Sequence, residues 1–254
     1  MKNIKFLLTI FLPLHLLTAT LIFSTVANLN DLYYFLIGYT LIGGLGVGVG
    51  LHRWASHRSI KLNAIAEPVV LYFSLLACQG HPIWWSALHR GYHHKNADTD
   101  KDIHSPQSGK WHAFLGWILS HDPSTVKYRY SIDLIRKKSM TATSKYYEAI
   151  VWASWAFVGL IDLNLLLYAV LIPTVISFHA EGLVNTFCHG SHGYRNFSTK
   201  DSSRNNFLIA LISWGNGWHN NHHYRPSSYD FGKSVSGKKW EIDPCVIFYP
   251  FIKK

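Results

Sequence analysis

Long apolar blocks, separated by basic and histidine-rich segments, constrain this chain more than any other feature of its sequence. Two blocks near the N-terminus each approach the ~20 residues that cross a bilayer as a helix. A third block is long enough for two crossings, because a polar break at Asp162 to Asn164 can form the turn of a helical hairpin. We therefore predict an all-α membrane protein with four spans in two hairpins, at about 6–23, 32–51, 147–161 and 164–183.

The basic residues test this arrangement and give it a direction. All 24 lysines and arginines precede the first span, lie between residues 53 and 145, or follow residue 194. The two short loops, 24–31 and 162–164, have none. Positive residues mark the cytoplasmic side, so we expect both termini and the segments 52–146 and 184–254 to be cytoplasmic, within one membrane domain, 1–254. Basic loops beside an anionic leaflet explain the net charge of +10 without a nucleic-acid partner.

Nine of the 16 histidines gather in four groups on that same side. Residues three or four apart share a face of an α-helix, which predicts that the members of most groups converge. His52 and His57 are five apart and diverge by about 140° on an α-helix, so they suit two different metals or a helix that bends. The candidate metal ligands are His52, His57, His89, His93, His94, His189, His219, His222 and His223.

The number and type of these residues indicate two metal ions, because one zinc site uses only four ligands. Imidazole binds zinc, copper, iron and nickel, so the ligands alone leave the metal open. The sequence contains neither HExxH nor a Glu-x-x-His pair, which argues against a zinc protease and a carboxylate-bridged di-iron bundle. Non-haem iron performing oxygen chemistry on a lipid chain fits the remaining pattern.

The histidine segments "HRWASH", "HRGYHH" and "HNNHH" resemble the three boxes of the membrane fatty acid desaturases. The segments "NTFCHG", "DSSRNNFLIALISWGNGWHNNHHYRP" and "KWEIDP" look like the acyl-CoA Δ9 (stearoyl-CoA) desaturase branch. The resemblance implies that the nine histidines hold two Fe²⁺ ions, with Asn185 holding one of them through a water. It also implies a four-helix stalk beneath a helical cytoplasmic cap that receives a straight acyl chain in a narrow tunnel.

The reaction implied by the resemblance is the O₂-dependent insertion of a cis double bond, at Δ9, into a saturated long-chain acyl-CoA or acyl-lipid for unsaturated fatty acid biosynthesis. O₂ is the co-substrate, and no catalytic side chain is expected beyond the metal ligands. We expect no cytochrome b5 domain to be fused after "WEIDP". We therefore expect a separate electron donor, either cytochrome b5-like or a ferredoxin-type carrier with its reductase.

Two departures from the family pattern concern the second and third boxes. Many relatives have "GEGWHN" where this chain has Gly215, Asn216 and Gly217, so a carboxylate is missing there. The second box also has three residues, not two, before its histidine pair. Both variants are expected of bacterial members, which favours the bacterial inner membrane over the endoplasmic reticulum.

Charged residues near the boxes provide further candidates. A ligating histidine usually gives its other N–H to a carboxylate or carbonyl, and the predicted supporting carboxylates are Asp98, Asp100, Asp102, Glu241 and Asp243. The basic residues Arg53, Arg58 and Lys61 are candidates for binding a substrate headgroup, although membrane-facing charge explains them equally well.

Two other functions fit parts of the pattern. A di-iron membrane hydroxylase acting on an alkane, sterol or carotenoid would use similar histidine boxes. A metal transporter would need polar ligands within the spans, whereas these groups flank them.

Overall fold

The computed structural model describes residues 3–190 and 192–254. All the secondary-structure elements of these residues are helices, and the only β-type pairing among them consists of four isolated β-bridges. The all-α prediction is therefore confirmed for the described part of the chain.

Three helices are long and apolar enough to cross a membrane: Ile4–Ser24, Leu29–Ser56 and Leu163–Phe187. We call them the first, second and third long helices. The remaining predicted span, 147–161, is the helix Tyr147–Ile161, which has only 15 residues. At 1.5 Å per residue it extends about 22 Å, less than the ~30 Å hydrocarbon core. The count of four spans therefore stays a prediction.

Polar side chains cap the starts of two of these helices and hold together the loops that precede them. Asn28 and Asp31 form a capping box at the start of the second long helix, and Asp162 accepts a hydrogen bond from the backbone N–H of Leu165 at the start of the third. The Asn164 amide donates to the Val26 carbonyl and to Asp31, both at 3.1 Å. The two short uncharged loops therefore lie side by side.

The second long helix lies at the centre of the molecule, with nearly all of its residues from Ile42 to Ser56 buried. Its glycines allow close packing on two sides. A Cβ at Gly46 would meet the Phe73 carbonyl in the helix Ala66–Leu76, and a Cβ at Gly48 would meet the Cys245 sulfur. The helix Ala66–Leu76 thus packs against the second long helix.

Residues 77–145, 188–190 and 192–254 consist of short helices and loops, and we use the name cap for this part of the chain; its position on the cytoplasmic side stays a prediction. One run begins at Pro82–Leu88 and continues through His89–His93 and His94–Asn96. The other α- or π-helical pieces of the cap are His112–Gly116, Trp117–Ser120, Ile132–Ile135, Lys138–Lys145, Phe207–Ile212, His219–Tyr224, Lys233–Ser236 and Tyr249–Ile252.

Candidate metal centre

The nine histidines that the sequence singled out come together in two groups. Within each group, one ring nitrogen of every member lies within 4.8 Å of the others. The five-histidine group consists of His52, His57, His89, His94 and His222. The four-histidine group consists of His93, His189, His219 and His223. The cap therefore contains two clusters of nitrogen ligands, each able to hold a metal ion.

The Nε2 atoms face one another across each group. In the five-histidine group, Nε2 of His57 lies 2.8 Å from that of His89, and Nε2 of His222 lies 2.8 Å from that of His94 and 3.0 Å from that of His52.

In the four-histidine group, the His189–His219 separation between Nε2 atoms is 2.8 Å. Nε2 of His93 lies 3.2 Å from Nε2 of both His189 and His223.

Helix winding explains which histidines share a group. The stretches Thr40–Ser56 and His89–His93 are π-helical, and in a π-helix the hydrogen bonds join residues five apart. The His57 N–H accordingly donates to the His52 carbonyl. Residues five apart then lie on one face, so His57 joins His52. Of the two possibilities that the spacing left open, two different metals or a helix that bends, the first is wrong, because it assumed α-helical winding to His57.

The same winding separates His93 from His89 and joins His94 to His89. In the third box, an α-helix, His219 and His223 share a group while His222 enters the other. The expected convergence within each box is therefore corrected for the second and third boxes: His89 and His93 enter different groups, and so do His219 and His222.

Three carboxylates contact the outer nitrogens of the four-histidine group. Nδ1 of His93 donates to Asp102 at 3.0 Å, and Nδ1 of His223 donates to Asp201 at 2.8 Å. The third contact is 3.2 Å, between Nδ1 of His189 and Asp98. Such partners fix the ring orientation and tautomer and leave Nε2 free for a metal.

The predicted supporting carboxylates divide into three sets. Asp98 and Asp102 contact histidine rings, as expected. Asp100 is exposed and contacts no histidine within the described residues. Glu241 accepts a hydrogen bond from Asn221, and Asp243 from Arg53, so these two support the site only through other residues.

Sequence reasoning missed Asp201, because it lies 22 residues before His223 in a serine-rich loop. No helical spacing connects the two, and only the folded chain brings them together. The segment that contains Asp201 was noted as family-like, which was the one available signal.

His52 uses an amide instead of a carboxylate. Its Nδ1 donates to the Asn216 side-chain oxygen at 2.8 Å, and the Asn216 amide nitrogen donates to Glu181 at 2.7 Å. The segment "GNG" lacks a carboxylate, but the carboxylate of Glu181, on the third long helix, supports His52 through Asn216. An acidic residue inside an apolar span was the signal for Glu181, since such residues are rarely without function.

The protonation states of the rings fit a bound cation. Nδ1–H of His93 and of His223 is held by a carboxylate, so their Nε2 lone pairs face each other at 3.2 Å. A shared cation would stabilise this arrangement. A proton is disfavoured, because burial lowers the pKa of His223 to about 4. Burial, followed by neighbouring imidazoles, also lowers the pKa of His89, His94, His219 and His222 well below its ordinary value.

A cavity of about 280 Å³ lies beside both groups. Histidines of each group form part of its wall, and Asn185 and Glu181 line it as well. Most of the remaining wall is aromatic or aliphatic, including Trp84, Trp85, Leu88, Phe114, Trp117, Ile118, Phe178 and Val184. The cavity thus offers an apolar ligand a path to the histidine nitrogens.

The three basic headgroup candidates occupy different environments. Arg53 is completely buried and ion-paired with Asp243 at 2.6 Å, so it is out of reach of a headgroup in solvent. Arg58 pairs with Asp133 at 2.8 Å, with most of its side chain exposed. Lys61 is exposed.

A family model described as "Fatty acid desaturase" matches residues 29–231. The chain belongs to this family. An sn-1 stearoyl-lipid 9-desaturase of Anabaena variabilis is 34% identical over 218 residues, which cover 82% of this desaturase and 75% of the relative. A Delta-9 acyl-lipid desaturase of Arabidopsis thaliana is 35% identical over 214 residues, covering 82% and 67%. An acyl-CoA 5-desaturase of Anemone leveillei is 32% identical over 209 residues, covering 81% and 63%.

The predicted family and reaction class are therefore confirmed: the chain is a fatty acyl desaturase, an oxidoreductase. It spans about two thirds to three quarters of the length of these three relatives.

Proposed function

We propose that this desaturase inserts a cis double bond at Δ9 of a saturated long-chain acyl group, carried by coenzyme A or by a lipid. One observation carries the proposal: both histidine groups form the wall of a largely apolar cavity. Each buried CH₂ contributes about 0.8 kcal/mol, so such a cavity can bind a saturated chain without polar contacts. Two of the similar proteins are named for position 9 and lipid-linked chains, which supports the position.

The proposed cofactor is two iron ions, one in each histidine group, with O₂ as the co-substrate. Neutral imidazoles suit iron, zinc or copper, but zinc lacks redox chemistry. When bound, the iron pair would supply the oxidising power to take hydrogens from CH₂ groups, which no side-chain base can deprotonate. The chain itself binds the acyl group, orients the imidazoles through Asp98, Asp102, Asp201 and Asn216, and excludes bulk water. Asn185 is proposed to hold one iron through a water, consistent with its place in the cavity wall.

Electron counting requires a partner. Reduction of O₂ to two waters takes four electrons, and the loss of two hydrogens from the acyl chain provides two. We infer that a separate cytochrome b5-like or ferredoxin-type carrier, with its reductase, provides the other two.

We also propose four membrane spans, with the cap, both termini and the active site in the cytoplasm of a bacterial cell. Two observations support this topology. The positive residues all lie on one predicted side, and Asn164 contacts Val26 and Asp31 at the other end of the helices.

The test is fatty acid methyl ester profiling, with double-bond location, in a desaturase-deficient host. We expect a new Δ9 monoene with the wild type and none with His222→Ala. Asp100→Asn is the control, because Asp100 is exposed and should leave the product unchanged. A hydroxylated lipid without a new double bond would favour the hydroxylase instead.

A further inference from the structure

The two histidine groups differ in the charges around them. The carboxylates of Asp98, Asp102 and Asp201 contact three members of the four-histidine group at 2.8–3.2 Å. Asp102 is buried, and Asp98 and Asp201 are half-buried, so solvent screens their charges less than those of surface residues. Within residues 3–190 and 192–254, no carboxylate pairs with a ring of the five-histidine group.

Among the described residues, the five-histidine group has no carboxylate in direct contact with a ring. His52 is held by the Asn216 side-chain oxygen, and the carboxylate of Glu181 is one residue further away, on the Asn216 amide nitrogen. Arg53 and Arg90 lie nearby, but each is ion-paired with an aspartate, Asp243 and Asp133. Nδ1 of His222 is buried, with no hydrogen-bond partner in the described part of the chain.

The two groups therefore differ in direct carboxylate partners. A carboxylate behind a ligating histidine raises the basicity of the ligand, and losing such a partner typically weakens metal binding 10- to 100-fold. Three of these partners serve one group and none serves the other. The additional imidazole of the five-histidine group is neutral and does not offset the charge of the metal.

We propose that the two metal sites are inequivalent, and that the four-histidine group binds its ion more tightly. It fills first on loading and empties last on chelation. This inference rests on the proposed di-iron function and adds an order of occupancy to it.

The direct test is metal release from the purified holoenzyme loaded with Fe²⁺ under anaerobic conditions. A soluble Fe²⁺ chelator is titrated, and the iron that stays with the protein is measured by mass spectrometry. We expect two steps, one iron each, separated by at least 10-fold in chelator concentration. Release of both ions in one step would overturn the inference.

A charge substitution identifies the tight site. Asp201→Asn keeps an oxygen that can accept from Nδ1 of His223 but removes the charge. We expect it to weaken the tight step about 10-fold or more and to leave the loose step unchanged. Asp98→Asn provides a second variant if the first does not fold. Asp100→Asn, in the same loop as Asp98 but touching no histidine, should leave both steps unchanged. A change in the loose step alone would contradict the inference.

Removing a ligand from one group completes the assignment. His57→Ala removes a member of the five-histidine group only. We expect this variant to keep one iron and to lose it at the same chelator concentration as the tight step of the wild type. If the remaining ion leaves at the chelator concentration of the loose step, the tight site belongs to the five-histidine group, which contradicts the inference. A wild-type chain that binds no iron would overturn the proposed function itself, whereas two equally bound ions would overturn only this inference.

Discussion

At the scale of single residues, Arg53 joins the middle of the chain to its end. Its guanidinium binds Asp243 at 2.6 Å and donates to the carbonyls of Gly48 and Tyr229, both at 2.7 Å. Its face also lies over the Phe231 ring, 3.9 Å from the centroid. Because every side of this charge is occupied by protein, it holds the cap onto the second long helix and is not available to substrate.

Removing the partner of this buried charge should be costly. We expect Asp243→Ala to lower the free energy of unfolding by about 3–5 kcal/mol, because it leaves an uncompensated guanidinium inside the protein. The measurement is chemical unfolding in detergent. Glu148→Gln is the matched control, since it breaks the more exposed Lys5–Glu148 pair and should cost less than about 1 kcal/mol. Equal effects of the two variants would contradict this account of Arg53.

Glu181 orients the Asn216 amide and, through it, the His52 ring. Glu181→Leu leaves the amide nitrogen of Asn216 without its acceptor, which we expect to cost about 1–3 kcal/mol and to reduce the iron bound per chain. Glu181→Gln keeps an acceptor oxygen and should retain most of both properties. The readouts are thermal unfolding and iron content. If Glu181→Gln were as impaired as Glu181→Leu, the carboxylate charge itself would be the important feature.

The sequence predicted ligands better than it predicted their supports. The nine histidines stand out because they fall in dense, short-range patterns beside apolar blocks. Two of their supports, Asp201 and Glu181, do not stand out, because they meet His223 and Asn216 across 22 and 35 residues of chain. Such contacts depend on how the cap folds back, which no local spacing encodes.

At the scale of elements, helix winding decides the geometry of the first box. A spacing of five residues diverges on an α-helix and converges on a π-helix, and the sequence offers no simple rule for choosing between them. The three long helices were predictable from hydropathy, although each extends beyond both of its predicted ends. The additional residues at the end of the second long helix, His52 to Ser56, are buried within the protein.

The packing of the second long helix gives a prediction at this scale. Gly46→Ala places a methyl group against the Phe73 carbonyl, a backbone atom that cannot rotate away. We expect a loss of about 1–3 kcal/mol from overpacking, measured as a lower unfolding midpoint. Gly159→Ala is the control, because its methyl would meet only the flexible end of Leu166 at 3.0 Å, and alanine favours a helix by up to about 1 kcal/mol. A neutral Gly46→Ala would show that the two helices separate easily.

At the scale of the whole molecule, the buried imidazoles make the metal-free protein sensitive to acid. Burial lowers the pKa of His104 and of His223 to about 4, whereas an unfolded histidine titrates near 6.5. As the pH falls from 7.5 to 5.5, the unfolded chain therefore binds protons that the folded chain does not. Each such histidine should remove roughly 1 kcal/mol of stability over this range.

The acidic partners do not cancel this effect. Burial acts to raise the pKa of Asp201, but the hydrogen bond and electrostatic interaction with His223, together with the hydrogen bonds to Ser203 and Thr199, outweigh burial and hold the pKa below its ordinary value. Its contribution is lost only as the pH falls below about 4. Thermal unfolding of chelator-stripped protein should show a midpoint that falls between pH 7.5 and 5.5, with a smaller fall in His104→Gln. A constant midpoint would contradict neutral, buried imidazoles.

The ion pair between Arg53 and Asp243 also bears on how the protein is made. Its two halves lie 190 residues apart in the chain, so a ribosome produces the arginine long before the aspartate exists. Until then, the second long helix carries a guanidinium whose partner in the protein has not yet been made. The third-box histidines, which complete both groups, are likewise made long after His52 and His57.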